Sequence, residues 1–408
     1  AGFTFLSRAV SALLYFGLIV VVSRWLGPAE RGICGLYLVI IALVAGISDI
    51  AGGATSAWLL NRHHPVRLMK GQMLWAVFPS VLVPFCFYLF SPLQAKEALL
   101  LCLASWVHSS WTMQQHLLLG LKKFVRFNFM VLAVPALACF SFWLLWHLGH
   151  HSRKSYLLAL FISWALAFGV GAVLLARDRV VMPSGGEKGT RREVFHYGLL
   201  NQLAHVAGLL HGRLIFFLMP ATGLGLLSNA LTLGEAMLLV PGSIGQVFYS
   251  LSSREHDVGK KDQFFRKAWW GNILLMGIAC LGMLLLPDGF WTFLFGPQFG
   301  GMKAYIMILL PGLGIYSIYL IISYRMSADG RFHYNLKALM IGLAVNILLS
   351  FFFLIGGNYS VEKGMLALSA GWVMATIGAL YFLRSVSPST VAAFKHLPTL
   401  RSLTTRWN

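Results

Sequence analysis

The segment Arg24-Trp-Leu-Gly-Pro-Ala-Glu-Arg-Gly32 separates two long apolar stretches near the start of the chain. A second segment, Phe217-Leu-Met-Pro-Ala-Thr-Gly-Leu-Gly225, has the same arrangement in the second half. In both, a turn rich in proline and glycine interrupts one helix, and a glycine begins the next. The recurrence predicts a chain that is built from two similar halves.

The composition places both halves in a membrane. Hydrophobic residues make up 58% of the 408 residues and charged residues only 11%, which leaves too little polar surface for a soluble domain. Apolar stretches long enough to cross a hydrocarbon core of ~30 Å recur twelve times. They are Phe3–Trp25, Gly32–Leu60, Gln72–Phe90, Ala98–Leu119, Phe127–Leu148, Tyr156–Ala176, Phe195–Pro220, Gly225–Leu251, Ala268–Leu286, Ala304–Ser327, Tyr334–Gly356 and Gly364–Leu383.

These stretches divide the chain into an N-terminal six-helix lobe (1–176), a cytoplasmic linker (177–194), a C-terminal six-helix lobe (195–384) and a basic cytoplasmic tail (385–408). Because each half has an even number of spans, both halves begin on the same side of the membrane. The sequence therefore predicts an all-α integral membrane protein whose two lobes are related by a parallel pseudo-two-fold repeat. The cleft between the lobes is the expected substrate site.

The distribution of charge predicts the orientation. The net charge is +19, and most of the 32 lysines and arginines fall in alternate loops and in the C-terminal tail. The positive-inside rule then places both termini in the cytoplasm, as in a multi-pass protein of the bacterial inner membrane. The expected partners of these basic loops are anionic lipid headgroups, not nucleic acid. We expect a monomer, since one chain supplies both lobes.

The sequence offers little for catalysis. No loop is long enough to form a catalytic domain, and the GxxxxGK[ST] nucleotide-binding pattern is absent. The five cysteines lie inside apolar segments without CxxC spacing, and the cluster His147, His150 and His151 lacks carboxylate or thiolate neighbours. We therefore expect neither an enzyme nor a metal site, and no cofactor except a coupling ion, a proton or sodium.

Three motifs resemble a known family. Arg24–Gly32, Leu294-Phe-Gly-Pro-Gln-Phe and Tyr324-Arg-Met-Ser-Ala-Asp-Gly-Arg331 are similar to the polysaccharide-transporter branch of the multidrug/oligosaccharidyl-lipid/polysaccharide exporter superfamily. Within this branch, nearly the whole chain resembles the O-antigen-type flippases. One departure is His211-Gly-Arg213, where many relatives carry an acidic residue.

The resemblance implies a flippase that moves undecaprenyl-pyrophosphate-linked oligosaccharide to the periplasmic leaflet by alternating access. It also implies association with a polysaccharide polymerase or other assembly proteins. Two alternatives remain at this point: a drug/cation antiporter of the same superfamily, and a non-transporting scaffold for polysaccharide assembly.

The first apolar stretch carries the clearest candidate site. Thr4, Arg8, Ser11 and Tyr15 follow a spacing that places them on one helix face. A charge facing lipid costs at least ~2.5–3.5 kcal/mol, so Arg8 should point inward or snorkel. Asp49 lies at a similar depth after the Pro28 turn. Either the two form a permanent ion pair, or Arg8 binds pyrophosphate while Asp49 orients it, exchanges with the anion or couples to an ion.

The second half offers a comparable set. Asn201 and His205 belong to a polar stripe on the seventh stretch, and Glu235 follows on the eighth. Arg213 is a further candidate for substrate binding. It is expected at a depth similar to that of Glu235, and the two either form a helix-fixing salt bridge or leave Glu235 as an ion-coupling group.

Three further residues are candidates for substrate binding. Arg325 either catches an entering headgroup or snorkels to the interface. Arg24, like Arg31, flanks the periplasmic turn, where it either guides an exiting anion or makes structural contacts at a helix end. Tyr316, with Asn201 and His205, is expected to influence which glycans pass.

Overall fold

The computed structural model describes residues 2–51, 65–91, 93–177, 191–219, 221–252, 255, 257–357 and 359–386. Regular structure within these ranges is helical throughout. The α-helices are α1 (Gly2–Ser48), α2 (Pro65–Phe90), α3 (Ala95–Gly120), α4 (Phe124–His147), α5 (Arg153–Arg177), α6 (Arg191–Leu218), α7 (Ala221–Met237), α8 (Leu239–Ser252), α9 (Val258–Leu285), α10 (Asp288–Phe295), α11 (Met302–Ala328), α12 (Phe332–Ile355) and α13 (Val361–Val386). Short 3₁₀ helices occupy Asp49–Ala51 and Pro297–Phe299.

Helix α1 contains the first two predicted spans, joined by a sharp break instead of a loop. Gly27 has φ +76°, a left-handed conformation that favours glycine, and Pro28 follows at once. Proline has the φ of a first helical residue and no N–H to leave unpaired, so it starts the next helix well. The Gly-Pro pair therefore ends one span and begins another.

The predicted spans agree with the described helices. Nine helices in the described ranges are long and apolar enough to cross a membrane, and the first of them is α1 with its break. The remaining predicted spans correspond to α3, which carries more polar residues, and to the shorter apolar helix Gln202–Leu218 within α6. The predicted all-α membrane architecture of twelve segments is confirmed.

Two compact units divide the described chain. The first unit comprises Ala1–Thr232, Leu286–Tyr305 and Ser360–Glu362, and the second comprises Leu233–Leu285, Ile306–Tyr359 and Lys363–Asn408. The predicted lobe boundaries remain a prediction. Most of the linker 177–194 and of the tail 385–408 lies outside the described residues.

The break at Gly27 divides α1 into two halves, called here the inner half, before Gly27, and the outer half, after it. The first unit is built around the outer half. Cys34, Tyr37 and Ile40 are completely buried there. Helix α7 begins against the break, because a Cβ placed on Gly225 would collide with the backbone of Pro28. Such close contacts between helices require small residues, as is common in membrane bundles.

The second unit follows the same packing rule. Gly245 of α8 lies against the ring of Tyr324, and Gly312 of α11 lies against Ser369 of α13. Asn272 donates a hydrogen bond of 3.0 Å to Ser317, so α9 and α11 are also joined by buried polar groups. These close contacts and this hydrogen bond hold the helices of the second unit near one another.

Candidate functional site

The inner half of α1 packs through one polar side chain and exposes another. Ser7 is 1% exposed and donates a hydrogen bond of 3.0 Å to Asn128 of α4. Its neighbour Arg8 is exposed, with its guanidinium 6.0 Å from the centre of the Phe127 ring. Of the predicted stripe, Ser11 is buried and Tyr15 is half-buried, while the Thr4 side chain lies outside the described residues. The stripe therefore does not face a single environment.

Arg8 lies on a different face of α1 from two exposed leucines. Leu6 and Leu13 are 60% and 68% exposed. At 3.6 residues per turn they lie roughly 140–160° around the helix from Arg8. An exposed leucine face suits lipid, whereas a guanidinium in lipid is costly. Arg8 thus has an exposed position directed away from the apolar face.

Asp49 is held by an amide. It begins the short helix after α1, and its Oδ1 accepts a hydrogen bond of 3.4 Å from Gln72 of α2. Within the described ranges, no salt bridge joins Asp49 to Arg8. The permanent ion pair considered from the sequence is absent from this conformation, and the ligand role of Arg8 remains a prediction.

A cluster of ion pairs fastens three helix ends in the first unit, and sequence reasoning did not identify it. Arg153 of α5 contacts Glu97 of α3 at 2.8 Å and Glu30 of α1 at 3.1 Å. Glu97 also accepts a hydrogen bond of 2.9 Å from the backbone N–H of Gln94, as in a capping box. The sequence signal for this cluster was the position of Glu97 three residues after Gln94, where an acidic residue can cap the start of a helix.

The charge of Glu97 is maintained by these contacts. Glu97 lies just before the predicted span Ala98–Leu119. Burial alone would raise its pKa, but the hydrogen bonds from Arg153 and the Gln94 backbone bring the pKa below its usual value. The carboxylate is therefore ionised at neutral pH and committed to Arg153.

Arg31 occupies a different environment in the same unit. It is 1% exposed, and its Nε donates a hydrogen bond of 2.9 Å to Oδ1 of Asn229 in α7. Asn229 in turn donates to Ser23 Oγ at 3.0 Å. Both Nη atoms of Arg31 are buried and have no hydrogen-bond partner in the described structure. An amide therefore provides the one hydrogen bond that this buried cation makes.

Arg24, predicted as a substrate ligand, binds the end of a short helix. Its Nε donates to the Leu294 carbonyl at 2.9 Å, and its Nη2 donates to the Phe293 carbonyl. Both acceptors belong to the last turn of α10, where free carbonyls and the helix dipole favour a cation. This contact fixes the position of the Leu294–Phe299 motif.

Arg325 forms a buried ion cluster in the second unit. It is 2% exposed and contacts Asp262 at 2.9 Å and Asp329 at 3.2 Å, and Lys261 approaches Asp329 at 3.6 Å. The guanidinium also lies 5.8 Å from the Phe265 ring centre. Arg325 thus ties α9 to α11, and in this conformation it neither snorkels nor faces an open surface.

The remaining predicted residues have different surroundings from one another. Tyr316 stacks between Tyr319 and Trp372, with ring centres 5.0 and 5.7 Å away. His205 is exposed on α6, and Arg213 lies 5.9 Å from the Phe216 ring centre.

Two predictions, the pairing of Glu235 with Arg213 and the role of Asn201, stay predictions. Glu235 is exposed and belongs to the second unit, whereas Arg213 belongs to the first, so their pairing remains a prediction. The side chain of Asn201 lies outside the described residues.

Comparisons with known proteins identify the fold. No model of a protein family matches the sequence, and no curated protein matches it significantly. Among solved structures, an inward-facing multidrug resistance MATE family transporter of the MOP superfamily has a TM-score of 0.70 at 14% identity, covering 94% of this chain and 96% of its own. The lipid II flippase MurJ, in an inward closed conformation, also has a TM-score of 0.70, at 15% identity, covering 96% of this chain and 90% of its own.

A third structure extends the comparison to eukaryotes. The eukaryotic MATE transporter AtDTX14 has a TM-score of 0.63 at 13% identity, covering 96% of this chain and 97% of its own. Identities this low establish the fold alone. The chain therefore has the fold shared by MATE transporters and the lipid II flippase, and the comparison does not reach the O-antigen-type branch.

Proposed function

We propose that this protein flips a lipid-linked anionic oligosaccharide across the bacterial inner membrane, with Arg8 binding the pyrophosphate of the headgroup. One observation carries the proposal. On a fold shared with a lipid flippase, Arg8 is an exposed guanidinium without a carboxylate partner in the described chain, on the face of α1 opposite its exposed leucines.

The chemistry of the guanidinium fits this role. Its planar fork can donate two parallel hydrogen bonds to a phosphate. A cation already neutralised by a carboxylate would have to exchange partners first. Asp49 accepts a hydrogen bond from Gln72 and leaves Arg8 available to an anion.

The rest of the cycle follows from the substrate. The headgroup crosses by alternating access while the prenyl tail stays in lipid, so no covalent step is required. Undecaprenyl pyrophosphate is the shared element of such substrates, and we propose it as the carrier. Asp49 and Glu235 are the candidate groups for coupling to a proton or sodium. Polysaccharide assembly proteins are the proposed partners, and the proposed orientation has both termini in the cytoplasm.

The test is flipping by the purified protein in liposomes. A fluorescent undecaprenyl-pyrophosphate oligosaccharide is supplied, and a membrane-impermeant quencher reports the label in the outer leaflet. Arg8→Ala should slow flipping at least about tenfold, equivalent to about 1.4 kcal/mol. Arg8→Lys should restore part of the rate, since lysine keeps the charge but lacks the fork.

Arg266→Ala is the matched control, because it removes the same charge from an exposed position on α9. It should flip at the wild-type rate. Equal rates for Arg8→Ala and Arg266→Ala would contradict the assignment of Arg8. Absence of flipping by the wild-type protein would contradict the function itself.

A drug/cation antiporter is the second candidate. One MATE transporter matches the fold as well as the flippase does, and the half-buried Asp49 is the kind of acidic group that an organic cation needs. A transport assay in the same liposomes distinguishes the antiporter from the flippase. Uptake of an organic cation driven by a proton or sodium gradient, lost in Asp49→Asn and kept in Arg8→Ala, would favour the antiporter.

A further inference from the structure

Arg31 makes fewer hydrogen bonds than a buried guanidinium can. Of its five N–H donors, only Nε–H is satisfied, by Asn229, and the four Nη hydrogens have no acceptor in the described structure. Buried polar groups are normally satisfied, and a charged group left without partners is the costliest exception.

The nearby acidic groups do not neutralise this charge. Glu30 is adjacent in sequence, but it contacts Arg153, as does Glu97. Within the described residues, no salt bridge therefore joins Arg31 to either of these carboxylates.

The surrounding helices leave no space for a ligand in this conformation. Both Nη atoms are fully enclosed. Close by, a Cβ on Gly35 would collide with Ser228, and one on Gly225 would collide with Pro28. A water or anion can reach the Nη atoms only if helices that enclose them move apart.

We infer that Arg31, with Ser23 and Asn229, is a latent site for a phosphate-containing anion, closed here and opened when these helices separate. A buried guanidinium without its counter-charge is less stable than an apolar residue of the same size. Its fork is therefore satisfied in another state, where a phosphate oxygen pair fits it and the Ser23 hydroxyl offers a further donor. The inference rests on the proposed function, because it supplies the same pyrophosphate class with a second binding group.

Cys34 reports whether the site opens. It lies one turn beyond Arg31 on α1, with no exposed surface. Replacing Cys86, Cys102, Cys139 and Cys280 by serine leaves Cys34 as the single thiol. Inorganic pyrophosphate should raise the rate of Cys34 alkylation by N-ethylmaleimide at least about twofold, because a ligand shifts the population toward the state that binds it. Sodium chloride at equal ionic strength should have no such effect.

Arg31→Met in the same background is the decisive variant, since methionine keeps the apolar length and removes the charge. It should abolish the response to pyrophosphate and leave the melting temperature equal to or above that of the parent protein. Arg153→Met, which strips Glu97 and Glu30 of their partner, should lower it.

Three results would overturn the inference: an alkylation rate that does not rise with pyrophosphate, a rise that persists in Arg31→Met, or an Arg31→Met protein as unstable as Arg153→Met. Flipping separates this failure from that of the proposed function. If Arg8→Ala stops flipping while Arg31→Met flips at the wild-type rate, the function stands and the latent site is wrong.

Discussion

Two arginines, one in each compact unit, are almost equally buried and have opposite surroundings. Arg325 in the second unit is 2% exposed and contacts Asp262 and Asp329. Arg31 in the first unit is 1% exposed, and a neutral amide accepts the one hydrogen bond that it makes to the described part of the chain. The difference shows that burial alone does not assign a role to a membrane arginine. Both arginines have buried N–H donors without a hydrogen bond in the described structure, but Arg325 is built into an ion cluster with two carboxylates, whereas Arg31 has no carboxylate contact among the described residues.

The largest expected effect is at Arg325. Arg325→Met removes the buried cation that contacts both Asp262 and Asp329 and should destabilise the protein by about 3–5 kcal/mol. Melting of the detergent-solubilised protein measures it, with the exposed Arg331→Met as control. Equal melting temperatures for Arg325→Met and Arg31→Met would remove the contrast between the two sites.

The next effect is the dependence of stability on pH, which arises from a carboxylate of the kind that does not contact Arg31. Glu97 has a lowered pKa in the folded protein, so it contributes stability above its unfolded pKa of ~4.3 and loses it as pH falls through the folded value. The melting temperature should stay level from neutral pH to about 5 and fall below about 4.5.

Glu97→Gln isolates this contribution. It should cost about 1–3 kcal/mol at pH 7 and flatten the acid branch, since the amide does not titrate. An unchanged acid branch in Glu97→Gln would show that other carboxylates cause it, and that Glu97 is not the partner that holds Arg153.

Packing at the break in α1 offers a smaller test. Gly225→Ala places a methyl group against the backbone of Pro28, which cannot rotate away as a side chain can. We expect a loss of about 1–3 kcal/mol from overpacking. Gly271→Ala, which meets nothing within 4 Å, is the matched control. A stable Gly225→Ala protein would mean that α1 and α7 separate easily.

The smallest effect is expected at Arg24. Its bonds to the end of α10 are exposed, so Arg24→Ala should cost only about 0.3–1 kcal/mol. Flipping should change little if capping is its whole role. A large loss of flipping with unchanged melting would instead support the substrate-binding role predicted from the sequence.

The sequence by itself determined the membrane architecture, because apolar length and the Gly27-Pro28 break act locally. A hydrocarbon core requires about 20 apolar residues per helix, and a proline after a left-handed glycine interrupts any helix. The spacing of Arg8, Leu6 and Leu13 also defines their faces on α1 without reference to other helices. The pair Arg325 and Asp329, four residues apart, was within reach of the same reasoning.

Only the tertiary structure decided which charges are paired. Arg31 meets Asn229 across 198 residues of sequence, and Arg153 meets Glu97 across 56. Periodicity assigns a residue to a face of its own helix but does not identify the helix that covers that face. The energy of a buried charge depends on that neighbour, through desolvation and hydrogen bonding. For this reason three arginines that sequence reasoning treated alike have different roles. Arg24 caps a helix, Arg31 is a buried cation without a carboxylate contact in the described structure, and Arg325 belongs to an ion cluster.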